Sequence, residues 1–273
     1  IVINNSENLV SHNSATLFTS DGGITWSFKN MGMCGAIKNY YFDTANGYSI
    51  GSTCFGGRIV DKITNNFLVS TNYFTYAGGF LRGVDFVDTN YGIVAGDKGF
   101  VYRTTNSGKK WDTISRPFIQ DIYDIRFVND SMLFLVADSS NNSIFYSVDS
   151  GYTWQPHTPS LTFYYPKMKS LVVSVKDTVF AVGQTTTGNS GMIVWGEASS
   201  TNWTYFSNNS LGKGFNSIAM KDSVQPFAVG DSGIIYSYTK NITSLKENEN
   251  KYKLTVFPNP TNSFITIESQ KME

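Results

Sequence analysis

Two aspartates, Asp85 and Asp124, are the residues whose type and spacing best suit them to chemistry. Each sits in a short alternating run of strand type, and they lie 39 residues apart. A glycoside hydrolase needs two carboxylates about 5–10 Å apart as acid and base, or acid and nucleophile. If both runs are first strands of a repeated unit, the two carboxylates hold matching places and face a common channel. Asp97 and Asp231 form a second matched pair, in Gly96-Asp97-Lys98-Gly99 and Gly230-Asp231-Ser232-Gly233. Two copies of one turn argue for a turn role. The arginines are Arg58, Arg82, Arg103, Arg116 and Arg126, and they read as surface or interstrand residues. His12 and His157 have no second ligand near them in sequence, so no metal site is expected. A Ser-His-Asp set, a phosphate-binding glycine loop and a nucleophile elbow are also missing from the sequence. No cofactor is expected.

The elements that would hold these residues come from an internal repeat. Trp26 and Trp111 are 85 residues apart, and Trp111 and Trp154 are 43 apart, so the first interval spans two periods. A degenerate unit fills it: Gly57-Arg58-Ile59-Val60-Asp61-Lys62 aligns with Gly99-Phe100-Val101-Tyr102-Arg103-Thr104, and Val69 takes the tryptophan position. An apolar strand ends at Gly51, Gly96, Gly183 and Gly230, with Ala137 at that place in the fourth unit. These runs are apolar throughout, which marks strands buried on both faces. Each unit reads strand, polar turn, buried strand, glycine turn, strand, turn with tryptophan, strand. Four antiparallel strands every ~40–50 residues make a propeller blade. Units fall at about 1–30, 33–74, 78–115, 119–158, 163–207 and 213–240. The expected fold is all-β, a propeller of six four-stranded blades (seven if further sequence precedes Ile1) plus a short C-terminal β segment. The last unit shows three strands, and Ile1 to Ile3 is the expected donor of its fourth.

The tryptophan turns share one pattern. Ser147, Asp149, Gly151, Thr153 and Trp154 repeat as Thr19, Asp21, Gly23, Thr25 and Trp26, and more loosely as Thr104, Asn106, Gly108 and Trp111, with Lys110 in place of the threonine. Asp or Asn accepts hydrogen bonds from its own turn, Gly supplies a positive φ, and Trp buries a large ring. The pattern resembles the Asp-box, or BNR repeat, of sialidases, sortilin-type receptors, xyloglucan-cleaving glycosidases and photosystem II assembly-factor-like propellers. The resemblance implies a structural turn on the rim of a propeller, and no catalysis. The sialidase Arg-Ile-Pro motif is absent.

After Lys240 the composition turns polar and charged. The expected division is a propeller over 1–240, a linker over 241–251 and a further segment over 252–273. That segment runs Val256-Phe257-Pro258-Asn259-Pro260 and then an alternating strand. Its Phe257, Pro258, Asn259 and Pro260 resemble the opening of the type A sorting domain of the type IX secretion system of Bacteroidetes, over about residues 250–270. The resemblance implies export through that machinery and a secreted or outer-membrane surface-attached protein. Asp112-Thr113-Ile114, Asp130-Ser131-Met132, Asp177-Thr178-Val179 and Asp222-Ser223-Val224 resemble the short O-glycosylation sites of exported proteins in that group.

Composition narrows the function classes. Charged residues are 15% and the net charge is zero, which gives no clustered basic surface for nucleic acid. No apolar run approaches the ~20 residues of a membrane span. Cys34 and Cys54 are either bridged, as an oxidising compartment allows, or two buried thiols. Aromatic stretches at 72–76 and 161–165 would stack on sugars or peptides, or pack between blades. The expected function is a non-catalytic, exported propeller binding a protein or glycan. The alternative is an extracellular Asp-box glycoside hydrolase, sialidase-like or glucanase-like.

Overall fold

A computed structural model describes residues 8–12, 15–19, 24–25, 27–30, 35–43, 46–52, 57–64, 67–69, 76–77, 79–114, 116, 119–138, 143–157, 167–185, 190–208, 213–220, 223, 225–237 and 254–255. The chain divides into two compact units, 1–138 with 145–155, and 139–144 with 156–273.

Unit 1 is a series of antiparallel meanders. The first sheet is β1 (Asn8–His12), β2 (Ala15–Thr19) and β3 (Ser27–Asn30). The second is β4 (Gly35–Tyr41), β5 (Gly47–Ser52), β6 (Gly57–Thr64) and β7 (Phe67–Val69), with β8 (Tyr76–Ala77) also on β6. The third is β9 (Leu81–Phe86), β10 (Gly92–Gly96), β11 (Val101–Thr104) and β12 (Asp112–Thr113). The fourth is β13 (Ile122–Phe127), β14 (Leu133–Ala137), β15 (Ile144–Ser147) and β16 (Gln155–Pro156), whose last two strands straddle the boundary between the units. Unit 2 holds β17 (Lys167–Val173), β18 (Thr178–Gln184), β19 (Gly191–Glu197) and β20 (Thr204–Asn208), then β21 (Phe215–Met220), β22 (Pro226–Gly230), β23 (Ile234–Ser237) and β24 (Leu254–Thr255). Among the described residues the helical segments are two short 3-10 turns, Asp97–Gly99 and Asp231–Gly233.

The second strands explain themselves. Val94 of β10 packs with Tyr48, Ile50 and Val60 of the second sheet, while its neighbours Ile93 and Ala95 pack with Ile125, Leu133 and Leu135 of the fourth. A strand covered on both faces has no polar side, so its run is apolar throughout. In unit 2 the same logic joins Val172, Phe180 and Val182 to Phe215, Ile218 and Ala228. Each such side chain, fully buried, contributes about 1.5–3 kcal/mol. First strands lie beside one another: β1 by β4, β4 by β9 and β9 by β13 in unit 1, and β17 by β21 in unit 2.

Two expectations change. The fourth strand of the last sheet is Leu254–Thr255, paired with Ile235 and Ile234, rather than the N-terminal residues Ile1 to Ile3, which lie outside the described residues. The second concerns register. Phe86 pairs with Gly92 and Phe127 with Leu133, so Asp85 corresponds to Arg126, and Asp124 corresponds to Gly83. The true period between these first strands is 41 residues, so Asp85 and Asp124 do not hold matching places.

A bulge recurs behind this register. The ladder skips one residue near the start of every first strand from β4 onward: Ile37, Arg82, Tyr123, Lys169 and Asn216. A bulge re-aims its side chain. Arg82 reaches Asp97 (2.5 Å), Tyr123 reaches Asp138 (3.2 Å) and Asn216 reaches Asp231 (2.7 Å). Asp97 also accepts the Phe80 N–H, and Asp231 the Gly214 N–H. Both aspartates thus clasp the ends of their own sheets.

In unit 2 the His157 ring lies 4.2 Å from that of Trp203 and is 4% exposed. Burial pushes its imidazole down to about 4. The unfolded chain, at an ordinary value of 6.5, takes the proton first. Stability therefore falls as pH drops from about 6.5 to 4, by about 2–3 kcal/mol. In His157→Phe that acid sensitivity is expected to shrink, read as a smaller gap between urea midpoints at pH 7 and pH 4.5.

Candidate functional site

The charged residues of unit 1 gather where β4, β9 and β13 run side by side. Register puts Lys38, Gly83 and Asp124 at one level and Tyr40, Asp85 and Arg126 two residues further along. Gly83 has no side chain, so Lys38 passes over it. Its Nζ lies 2.6 Å from Asp124 Oδ1, bridging the second and fourth sheets across the third. A Cβ on Gly83 would stand 2.9 Å from the Ile125 nitrogen, so β13 is close-packed there too.

Asp124 is buried, with its side chain 1% exposed. Its Oδ1 takes Lys38, Arg126 Nη1 at 3.0 Å and the Ile125 N–H at 2.9 Å. Asp85 is partly buried, and its Oδ2 accepts the Phe127 N–H at 2.7 Å, from β9 to β13. Arg126 Nη1 returns the link by donating to the Val84 carbonyl at 2.9 Å. Tyr40 donates to the Phe86 carbonyl at 3.1 Å. Asp85 to Phe127, Arg126 to Val84 and Tyr40 to Phe86 tie neighbouring first strands together, Lys38 to Asp124 spans from β4 to β13, and the Arg126 and Ile125 bonds to Asp124 lie within β13.

The electrostatics follow from burial. It lowers Lys38 to about 8, helped by the Arg126 charge and opposed by Asp124. It raises Asp85 to about 6, against the pull of Arg126 and the Phe127 N–H. Tyr40 rises to about 12, from burial and then from the Asp85 charge. Asp61 is a separate case: it is buried on β6 opposite Ser49, and burial raises its carboxyl to about 6.

The tryptophan turns are built alike. Ser147 Oγ accepts the Gly151 N–H (2.9 Å) and donates to Asp149 (2.8 Å). Asp149 accepts the Thr153 N–H (2.8 Å) and hydroxyl (2.6 Å), and Trp154 Nε1 donates to the Gly151 carbonyl (2.9 Å). Thr104 takes the Gly108 N–H (2.9 Å), and Asn106 takes the Lys110 N–H (2.9 Å). The two central residues have positive φ in both turns: Ser150 at 61° and Gly151 at 87°, Ser107 at 58° and Gly108 at 71°. Burial pushes the Asp149 carboxyl up, but the bonds from Thr153, Ser147 and the Tyr152 N–H outweigh it and hold it below the ordinary range. Asp149→Ala is expected to cost about 2 kcal/mol by urea unfolding, and Asp149→Asn, which keeps the arrangement Asn106 already uses, under about 1.

The first copy of the pattern, at Asp21, Gly23 and Trp26, lies outside the described residues, though Thr19 closes β2 and Thr25 is exposed. Also outside are Cys34, Cys54, residues 72–75 and 161–165, and Phe257, Pro258, Asn259 and Pro260. Arg58 is buried, with Nη2 3.3 Å from the Asp97 carbonyl and its guanidinium 4.2 Å over the Phe100 ring. Arg103 lies over the Tyr152 ring at 4.3 Å and also hydrogen-bonds its hydroxyl. Among the described residues no cluster of three metal-binding side chains occurs, and no helix is long and apolar enough to cross a membrane. Sequence reading missed Lys38, Gly83 and Arg126 as partners of the two aspartates. The signal was the 41-residue spacing from Phe86 to Phe127, which a search keyed on aspartates overlooks.

Repeated four-stranded antiparallel meanders with adjacent first strands define a β-propeller fold. No family model matches the chain, and no curated protein does. Solved structures do. YCF48 bound to a D1 peptide matches at TM-score 0.58 and 16% identity, over 86% of this chain and 76% of that one. The GH74 xyloglucanase from Xanthomonas campestris matches at 0.64 and 10%, over 86% of this chain and 42% of the other. The extracellular domain of a one-component system from B. thetaiotaomicron matches at 0.63 and 12%, over 94% of this chain and 34% of the other. This chain spans less than half of the last two. Likeness at these identities shows the fold alone.

Proposed function

We propose that this chain is an exported, non-catalytic propeller that binds protein or glycan outside the cell or at its surface. The observation that carries this is the use made of the two aspartates: Asp85 and Asp124 both hold first strands together. An acid or base must reach a substrate proton, and Asp85 Oδ2 already faces the Phe127 N–H while Asp124 Oδ1 faces Lys38, Arg126 and the Ile125 N–H. The solved neighbours include a peptide-bound propeller and an extracellular domain, in keeping with this reading.

In this proposal the boxes at Thr19, Thr104 and Ser147 are Asp-box turns, residues 1–240 form six or seven blades with Leu254–Thr255 completing the last sheet, and 241–251 is a linker. Residues 252–273 begin a sorting segment read by the type IX machinery, and Cys34 and Cys54 are bridged on export. One observation favours a second reading, a glycoside hydrolase. Asp85 is raised to about 6 close to a second carboxylate, the asymmetry an acid and its partner require. The GH74 neighbour shares the fold. A glycan array and a cell-surface pull-down with the full-length protein test the proposal. Retention of a defined glycan or protein supports it, and silence in both overturns it.

A further inference from the structure

The bulges set three side chains at one end of the adjacent first strands β4, β9 and β13: Ile37, Arg82 and Tyr123. Arg82 and Tyr123 meet. The Arg82 guanidinium lies 5.7 Å from the centre of the Tyr123 ring and 5.5 Å from that of Phe80, the residue before β9. Two rings, one beside each first strand, thus flank one cation within reach of its attraction to aromatic faces. Phe80 is 40% exposed, although its backbone is pinned. Asp97 Oδ2 accepts its N–H at 2.8 Å, and its carbonyl accepts the Asp97 N–H at 2.9 Å. An exposed ring on fixed backbone gains from being covered and loses little entropy when it is.

The polar groups beside the rings both donate and accept. Among the described residues Arg82 bonds through Nε, to Asp97 Oδ1, and its Nη1 and Nη2 donate to none. Its side chain is 30% exposed. Tyr123 donates to Asp138, the Lys98 N–H to Asp121, and Arg116 to the Lys98 carbonyl. Asp97, Asp121 and Asp138 are thus matched by Arg82, Lys98 and Arg116, and the cluster has no net charge. A charged ligand gains nothing from such a balance. An apolar side chain laid on Phe80 would strip water from the Arg82 Nη donors and leave them unpaired. A pyranose ring meets both needs. Its C–H face lies on the aromatic ring, and its hydroxyls accept from Nη1 and Nη2 and donate to the carboxylates beside them.

We propose that Phe80, Arg82 and Tyr123 form a subsite for a neutral pyranose of a glycan chain. This rests on the glycan half of the reading above and gives it a place and a sugar class.

The test uses the full-length protein on an array of neutral, sialylated and uronic glycans, and the best-retained neutral glycan is then titrated by calorimetry. Wild type is expected to retain neutral glycans, with no preference for acidic ones. Phe80→Ala is expected to weaken binding of the titrated glycan about tenfold or more, and Phe80→Tyr less than about threefold. Both variants keep the backbone bonds to Asp97, and thermal melts are expected to show both folded. Retention of a neutral glycan that Phe80→Ala leaves unchanged overturns the subsite and leaves the glycan reading standing. Preference for acidic glycans, or capture of a protein with no glycan retained, also overturns the subsite alone. Silence toward glycan and protein alike overturns it together with the reading it rests on.

Discussion

Asp124→Asn is expected to destabilise the protein by about 2–4 kcal/mol, while Asp85→Asn leaves it as stable at neutral pH, or more so. The two changes are chemically identical, and the surroundings set the difference. Asp124 is the shared anion of Lys38 and Arg126, and its removal leaves two cations side by side over Gly83. Breaking a buried pair costs about 3–5 kcal/mol. Lys38 is 25% exposed and Arg126 18%, so water recovers part of that. Asp85 carries the opposite burden. Its folded value of about 6 lies above the ordinary 3.8, so the folded state holds its proton more tightly than the unfolded chain. Its contribution is favourable at low pH and is lost as pH rises from about 4 through 6. Asparagine cannot ionise, and its amide oxygen still accepts the Phe127 N–H. Urea unfolding of both variants at pH 5 and pH 7.5 checks the signs. A loss on Asp85→Asn at pH 7.5 as large as that on Asp124→Asn would show that the strand-linking geometry is misread.

Gly183→Ala is the second large effect. A Cβ there would stand 2.0 Å from the Lys167 carbonyl oxygen and 2.7 Å from Met168 Cα. Both are backbone atoms of the paired strand, so no side chain can swing aside. The ladder between β17 and β18 must part, at a cost of about 3 kcal/mol or more. Ala137 occupies the matching place in the fourth sheet, opposite Ile122. The reverse change there, Ala137→Gly, is expected to cost under about 1 kcal/mol. Thermal melts of the two variants separate a steric requirement at Gly183 from a general preference for glycine. Near-equal shifts would remove the steric account.

The sheets were legible because their causes are local. Buried second strands announce themselves as apolar runs such as Gly92–Gly96, and polar turns and Asp-x-Gly pairs punctuate them. The roles of Asp97 and Asp231 followed from repetition alone. The charged row was not legible, for two reasons. The two aspartates stand two residues apart in register, at levels that only the strand pairing reveals, so counting the 39 residues between them mispaired Asp85 with Asp124. The bond from Lys38 to Asp124 joins residues 86 apart and depends on an intervening glycine, a relation set by packing and not by any motif. The closing strand was misplaced because strand alternation at either end of the chain fits one open edge equally well.

The most direct test of a non-catalytic propeller is released sugar, measured with the full-length protein on xyloglucan and on sialylated glycans, wild type beside Asp85→Asn and Asp124→Asn. The expected result is no release by any of the three, with only Asp124→Asn losing stability. Release by wild type that disappears in a stably folded Asp85→Asn would contradict it, and would make Asp85 the acid of a glycoside hydrolase.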